Sequence, residues 1–320
     1  MDFNSTVLVT GGSGFIGSHL VCSLVTRHPD WRIINLDNLD YCCSPRSLES
    51  VEDSANYTFI RGDVEHRCDF HLAAKTHVET SFEAPASFQR VKHRRDQSFT
   101  GSRHQAPHQS QRFVYVSTDE VYGEGLDQVF DESSPVRPSN PYSTTKAAAE
   151  YLFPIIITRS NNIYGPRQYT EKVIPKFLTL LRMNKKCTIQ GTLPKSRHFL
   201  FVDDAINALR LVLEKGIVGE IYNVGTSCEI LIMQLAKELV KMVKNVPDSE
   251  VNDWLEFVPD RPCVDLRYPI SCEKLQQLGW RADVSWTEGI RQTVKWYQDN
   301  ADYWSDQEPI RSKLEKVTNK

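Results

Sequence analysis

Nowhere does the chain carry a run of about eighteen consecutive apolar residues, so no segment of it reads as a membrane-spanning helix. Metal-ligand spacing is missing as well. The eight cysteines show no CxxC pair, and only Cys42 and Cys43 are adjacent. They read as reduced thiols of a cytosolic protein. There is no basic excess: the formal net charge is −3, which leaves no electrostatic footprint for nucleic acid. Internal repeats are absent, and the opening MDFNS has no basic, apolar leader. These absences lead to the expectation of a cytoplasmic chain with no metal, membrane or nucleic-acid partner. What is present is ordinary globular composition. With 40% hydrophobic residues among 320, there is material for one large or two modest domains.

The order of elements points to an α/β fold. Thr6–Thr10 (TVLVT) is a β-branched run ending in glycines, and Phe15–Arg27 has helical periodicity through Phe15, Ile16, Leu20 and Leu24. Further strands are expected at 32–36, 57–60, 70–73, 113–117 and 155–158, with an Ala-rich helix at 142–152. Strands alternating with helices predict a doubly wound parallel, Rossmann-type sheet. Helices at 175–183, 203–214, 235–243 and 286–300 and a strand at 220–224 follow. The expected division is a dinucleotide-binding domain of residues 1–162 plus 199–226, and a smaller C-terminal lobe of 163–198 plus 227–320.

Residues 11–17 read GGSGFIG, directly after a strand and at the start of a helix, where the dinucleotide fingerprint belongs. Gly11 and Gly12 permit the tight turn. Gly14 lets a pyrophosphate approach open N–H groups at a helix N-terminus, and Gly17 lets the helix pack on the sheet. Asp37 lies twenty residues beyond Gly17, where a carboxylate accepts from ribose hydroxyls and repels a 2′-phosphate. Asn38 follows it with no arginine beside it, which favours NAD over NADP. Asp63 and Val64 end the third strand, where an adenine contact or a plain loop carboxylate both fit.

YVSTDEVYG at 115–123 and YSTTK at 142–146 carry the chemistry. Tyr142 and Lys146 are i and i+4 on one helix and share a face. A free phenol, with a pKa of about 10, is a poor base at neutral pH. A neighbouring ammonium and a nicotinamide cation would favour the phenolate. Thr118, Asp119 and Glu120 leave the C-terminal end of a strand, where ligands sit in such sheets. Two adjacent carboxylates can divide acid and base roles when their surroundings push their pKa values apart.

These motifs resemble the extended short-chain dehydrogenase/reductase family and, within it, the nucleotide-sugar 4,6-dehydratases. TGGSGFIGSHL, NLDNLDY, HLAAKTHVE, YVSTDEVYG, NPYSTTKAAAE, TRSNNIYGPRQYTEKVIPKF, YNVGT and DRPCVDLRYPIS carry the likeness across nearly the whole chain. The Thr118-Asp119-Glu120 triplet is the specific part, since related epimerases and decarboxylases lack it. The resemblance implies an NAD-dependent lyase that converts dTDP-glucose to its 4-keto-6-deoxy product, with the choice between dTDP and UDP left open. Tyr142, helped by Thr118, would take the 4-hydroxyl proton while hydride leaves C4 for NAD. Glu120 would remove the C5 proton, Asp119 would protonate the departing C6 hydroxyl, and hydride would return to C6. The cofactor pocket implied takes in Gly11, Gly14, Phe15, Ile16, Gly17, Asp37, Asn38, Asp63, Val64, Leu72, Ala73, Ala74, Tyr142 and Lys146. For the substrate, the resemblance implies Thr76, Asn162, Lys172, Arg197, Asn223, Arg261 and Asp265. His77 and His198 read as structural, and His93, His104 and His108 do not read as a metal site. An impaired NAD-binding homologue, or a related epimerase or decarboxylase, is the alternative.

Three places depart from the family pattern. Val91–Phe113 (VKHRRDQSFTGSRHQAPHQSQRF) has no apolar face where the family opens a helix with Val-Asn-x-x-Gly-Thr. Read one base out of frame, the codons for Lys92–Arg103 force Asn first and permit Ile-Asp-Gly-Thr after it. That suggests compensating frame errors, against the alternative of a polar surface insertion. Eight residues lie between Gly62 and His71, too few for a crossover between parallel strands. The helix after Tyr142 also ends early, at the FPIII run. The family's homodimer is therefore expected here with damaged interface helices.

Overall fold

The computed structural model describes residues 3–62, 70–71, 112–151, 155–260 and 265–304. Asp63, Val64, Leu72, Ala73, Ala74, Thr76, His77, Lys92, His93, His104, His108 and Arg261 lie outside the described residues.

Among the described residues, seven strands form one parallel sheet in the order β10-β6-β5-β4-β1-β2-β3. They are β1 (Ser5–Thr10), β2 (Trp31–Asp37), β3 (Tyr57–Arg61), β4 (Phe70–His71), β5 (Val114–Thr118), β6 (Ile156–Ser160) and β10 (Ile221–Val224). The order reverses direction between β1 and β4. In open α/β sheets a ligand crevice forms at such a switch point. Every residue of β5 is buried, as a central parallel strand covered on both faces requires. Its run VYVST alternates nothing because neither face meets water.

Helix α1 (Phe15–Arg27) buries Leu20, Val21, Leu24 and Val25, which join Val7, Val9 and Ile33 of the neighbouring strands in the main core. Each such side chain is worth roughly 1.5–3 kcal/mol when fully buried. Helix α2 (Pro141–Glu150) starts with Asn140 as N-cap, Pro141 at its first position and a reciprocal bond with Ser143, a strong start signal. It ends two residues before the expected Leu152, with Tyr151 as C-cap.

A three-stranded sheet, β11-β9-β7, joins β7 (Asn162–Tyr164), β9 (Ser196–Phe201) and β11 (Glu229–Leu231), and β8 (Cys187–Gln190) pairs with β12 (Leu255–Val258). Apart from Phe199 and its neighbours, which the expected lobe boundary touches, these short strands had no sequence-based assignment. Helices α3 (Val173–Arg182), α4 (Val202–Lys215), α5 (Ile232–Lys244), α6 (Glu273–Gln277) and α7 (Trp286–Asp299) complete the described α-helices. Phe199 therefore belongs to the small sheet, whereas β10 returns to the large one. The link from β3 to β4 comprises residues 62–69, shorter than the dozen or so residues of an ordinary crossover. No helix among the described residues is long and apolar enough to cross a membrane.

Candidate active site

Two cavities adjoin, and the first opens at the sheet's switch point. The first, about 270 Å³, is walled by the glycine turn, Asp37, Asn38, Thr118, Asp119, Glu120, Tyr142 and Lys146. The second, about 460 Å³, is walled by Arg197, Asp265, Tyr268 and neighbours. Glu120, Asn162, Glu171, Lys172 and Val173 border both.

The glycine turn is shaped by close approach. A Cβ on Gly17 would stand 2.1 Å from the Gly11 carbonyl oxygen, so only glycine lets the turn pass over the helix start. Gly11 sits at φ +71°, which favours a residue without a side chain. Gly14 is the N-cap of α1 and has no side chain to cap it, leaving first-turn N–H groups for an anion. Asp37 is 4% exposed. Its oxygens accept from the Ser13 N–H at 2.9 Å and the Leu39 N–H at 2.8 Å, with the Cys43 thiol at 3.7 Å. The carboxylate thus stitches the turn to the end of β2 while still bordering the cavity. A glycine cradle, a helix N-terminus and an acid at the ribose position fit NAD.

The two carboxylates beyond β5 stand in different surroundings. Asp119 is 2% exposed. Asn161 Nδ2 donates to its Oδ2 at 2.8 Å, and Thr118 Oγ1 donates to its Oδ1 at 3.2 Å. Burial pushes its pKa up to about 7; the Asn161 hydrogen bond opposes this, the Glu120 charge adds to it, and Thr118 and Arg197 pull it back. Glu120 is only partly buried and borders both cavities. Its Oε2 accepts from Asn140 Nδ2 at 3.0 Å. An acid able to hold its proton near neutrality thus sits beside a more open carboxylate, the separation that acid–base division requires.

Tyr142 is 8% exposed. Burial raises its phenol above the ordinary range, the Glu120 and Asp119 charges add to that, and a hydrogen bond with Thr118 opposes it. Lys146 is 4% exposed, donates to the Val116 carbonyl at 2.6 Å and lies 4.7 Å over the Tyr115 ring. Burial is the largest cause of the raised phenol.

The nucleotide-side residues divide. Asn162 and Lys172 border both cavities, and Arg197 and Asp265 border the second. Arg197 spends donors on the backbone carbonyls of Ser196, Leu266 and Asp265, at 2.6, 3.0 and 3.1 Å. Its guanidinium lies 5.0 Å over the Tyr268 ring. Asp265 accepts from the Tyr268 hydroxyl at 2.6 Å and from Ser139. Asn223 is not brought to either cavity. It is fully buried, accepts from the Tyr122 hydroxyl at 2.8 Å and donates to Ser271 O at 3.1 Å. His198 lies 3.8 Å from Glu229, outside both cavity walls, and burial lowers its pKa, as suits a structural histidine.

Asn140 and Asn161 had no sequence-based role, although both stand in the quoted motifs. Asn140 carried a legible cap signal in Asn-Pro-Tyr. Asn161 follows Ser160, the partner of Thr118 across the sheet, so strand register is what sets it beside Asp119.

A parallel sheet with a glycine-turn crevice, a Tyr-x-x-x-Lys helix and a Thr-Asp-Glu turn defines a dinucleotide-dependent enzyme that works on a nucleotide-linked group. The family model of GDP-mannose 4,6 dehydratase matches residues 8–293, and the chain belongs to that family. It is 47% identical over 333 residues to dTDP-D-glucose 4,6-dehydratase of Bos taurus, covering 96% of this chain and 92% of the relative. That aligned span exceeds the chain's 320 residues, so gaps in this chain are part of the match. Among solved structures it is similar to DesIV, a dTDP-glucose 4,6-dehydratase from Streptomyces venezuelae with NAD and TYD bound. There the TM-score is 0.86 and the identity 32%, covering 95% of this chain and all of the other. UDP-glucose 4-epimerase of Thermus thermophilus in complex with NAD is less similar, at TM-score 0.79 and 27% identity, over 92% of this chain and 99% of the other.

Proposed function

We propose that this chain dehydrates a nucleotide-activated glucose, with dTDP-glucose as substrate, to the 4-keto-6-deoxy sugar. NAD, when bound, supplies a two-electron acceptor that takes hydride from C4 and gives it back at C6. Every proton step falls to side chains of the chain itself. Tyr142 takes the proton of the 4-hydroxyl while Thr118 holds that oxygen. The phenol is raised by burial, so a cation beside it is needed to favour its ionised form; Lys146 is the one that α2 provides. Once C4 is a ketone, the C5 proton is acidic and Glu120 removes it. Asp119 gives its proton to the C6 hydroxyl, which departs as water. Lys172 and Arg197 border the cavities where a pyrophosphate would need cationic donors.

The observation that carries this reading is the pairing of Asp119, protonatable near neutrality, with the more open Glu120 on one turn. An epimerase needs no such pair, so the adjacent acids disfavour it. The short link of residues 62–69 favours one second reading, an NAD-binding homologue with reduced turnover. Incubation with NAD and dTDP-glucose, with UDP-glucose in parallel, separates the two. The alkaline absorbance of a 4-keto-6-deoxy product supports the dehydratase. Retained NAD without product supports the second reading.

The same reading puts the cofactor on residues 1–162 plus 199–226 and the nucleotide on the smaller lobe, and it assumes a homodimer weakened by damaged interface helices.

A further inference from the structure

Tyr142, Lys146 and Glu150 fall at i, i+4 and i+8 of α2 and so lie along one face of the helix. The first two border the cofactor cavity; Glu150 does not. It is instead clamped by Arg159 of β6. Arg159 Nη2 stands 2.6 Å from Glu150 Oε2, and its Nε is 3.2 Å from each carboxylate oxygen. Both side chains are buried, at 4% and 3% exposure. Ser117, the residue before Thr118, is the β5 partner of Arg159 across the sheet.

The same guanidinium reaches the other half of the site. It lies 4.6 Å over the ring of Tyr122, the last residue of the short 3-10 turn Asp119–Tyr122. Tyr122 is 1% exposed, stacks on Phe130 at 5.2 Å and donates to Asn223 at 2.8 Å. One buried cation therefore touches the helix that carries the phenol and the turn that carries the two acids.

We infer that Arg159 is a positioning residue: through Glu150 and Tyr122 it fixes α2 and the Asp119–Tyr122 turn relative to each other. Neither Arg159, Glu150 nor Tyr122 borders either cavity, so the effect passes through the residues they hold. A pair that only filled space would be replaced by apolar side chains without loss, because burying two charges is costly. Lysine cannot substitute fully, since it lacks the planar fork that meets both carboxylate oxygens and stacks on a ring. This inference rests on the dehydratase reading for its kinetic effect, but not for its structural one.

The test uses the full chain and compares Arg159→Lys, Arg159→Met and the double variant Glu150→Leu/Arg159→Met. The readouts are thermal stability, kcat and KM with dTDP-glucose, and amide hydrogen exchange of segments 118–122 and 141–150. Misplacing reacting groups by about 1 Å costs about 10²-fold in rate. Arg159→Met is therefore expected to lose kcat on that scale with KM held within about threefold, and to speed exchange in both segments together. Arg159→Lys should recover part of kcat. The double variant, freed of the unpaired buried charge, should regain stability while kcat stays low. A double variant with both wild-type stability and wild-type kcat would overturn the inference. If the unmodified chain forms no product, the dehydratase reading fails by itself and exchange decides: faster exchange in both segments supports the inference, and a change in neither or only one overturns it. Should Arg159→Met not fold, the lysine and double variants carry the same comparison.

Discussion

Asn161 holds Asp119 from the neighbouring strand end: its amide donates to Asp119 Oδ2 at 2.8 Å, while its own Oδ1 accepts from the Thr226 N–H at 3.0 Å. The second bond fixes which way the amide points. A donor aimed at a carboxylate favours the ionised form, so Asn161 restrains the rise that burial imposes on Asp119. Without it, Asp119 holds its proton to higher pH. As the proposed acid, Asp119 works only when protonated, and activity falls as pH climbs through its pKa of about 7. In Asn161→Ala the alkaline limb of the kcat profile should move to higher pH. A limb that stays in place or moves lower removes Asp119 from the acid role.

The same raised pKa links Asp119 to stability. The folded chain binds this proton more tightly than the unfolded chain does, since the ordinary value is 3.8 and the folded one about 7. Its contribution is full below pH 3.8 and is lost as pH rises through about 7. Above that, the folded protein bears a buried charge. Asp119→Asn removes the charge and keeps much of the shape. Melting curves should show the variant gaining on the wild type as pH rises from 4 to 8, by at most about 4 kcal/mol. A difference independent of pH would mean that Asp119 titrates normally.

Gly17→Ala tests the cofactor turn. The added Cβ would lie 2.1 Å from Gly11 O and 2.7 Å from Gly12 Cα. Both are backbone atoms, so the turn itself must shift. The pyrophosphate seat at the start of α1 shifts with it, and NAD affinity measured by calorimetry should weaken. Unchanged affinity would place the dinucleotide elsewhere.

The parts of this fold that were readable are those set by local chemistry. The run TVLVT, the glycine spacing and the Asn-Pro-Tyr start of α2 each specify an element within a few residues, because turn and cap preferences act over short range. The Asp119–Glu120 pair was legible for the same reason. The small sheets were not: β7 and β11 have three residues each, too short to show alternation. Nor could sequence order reveal that burial would dominate the Tyr142 phenol, or that Asn223 would accept a hydrogen bond from Tyr122. Those outcomes depend on which strands become neighbours, a tertiary property.

Oligomeric state is where the shortened α2 should be felt. After Glu150 the chain leaves Tyr151 at 78% exposure, and Ile217 and Val218 stand at 63% and 47%. Isolated apolar surface of this kind is tolerated, but it offers less contact than a long apolar helix face. Sedimentation velocity at micromolar concentration is expected to show mainly monomer. A single dimer boundary that persists on dilution would contradict the expectation of damaged interface helices.

Glu120→Gln separates the two halves of the proposed reaction. Glutamine keeps an oxygen for Asn140, which donates to Glu120 Oε2 at 3.0 Å, and Asn140 also caps α2. The substitution therefore leaves the helix start in place and removes only the basic carboxylate. Oxidation at C4 depends on Tyr142 and should continue, whereas removal of the C5 proton should slow by about 10²–10⁴-fold. In deuterated buffer the variant should fail to exchange hydrogen at C5, and reduced nicotinamide should accumulate because nothing downstream consumes it. Exchange at the wild-type rate would take the base role away from Glu120 and, with Asp119 as the acid, would leave the elimination without its second partner.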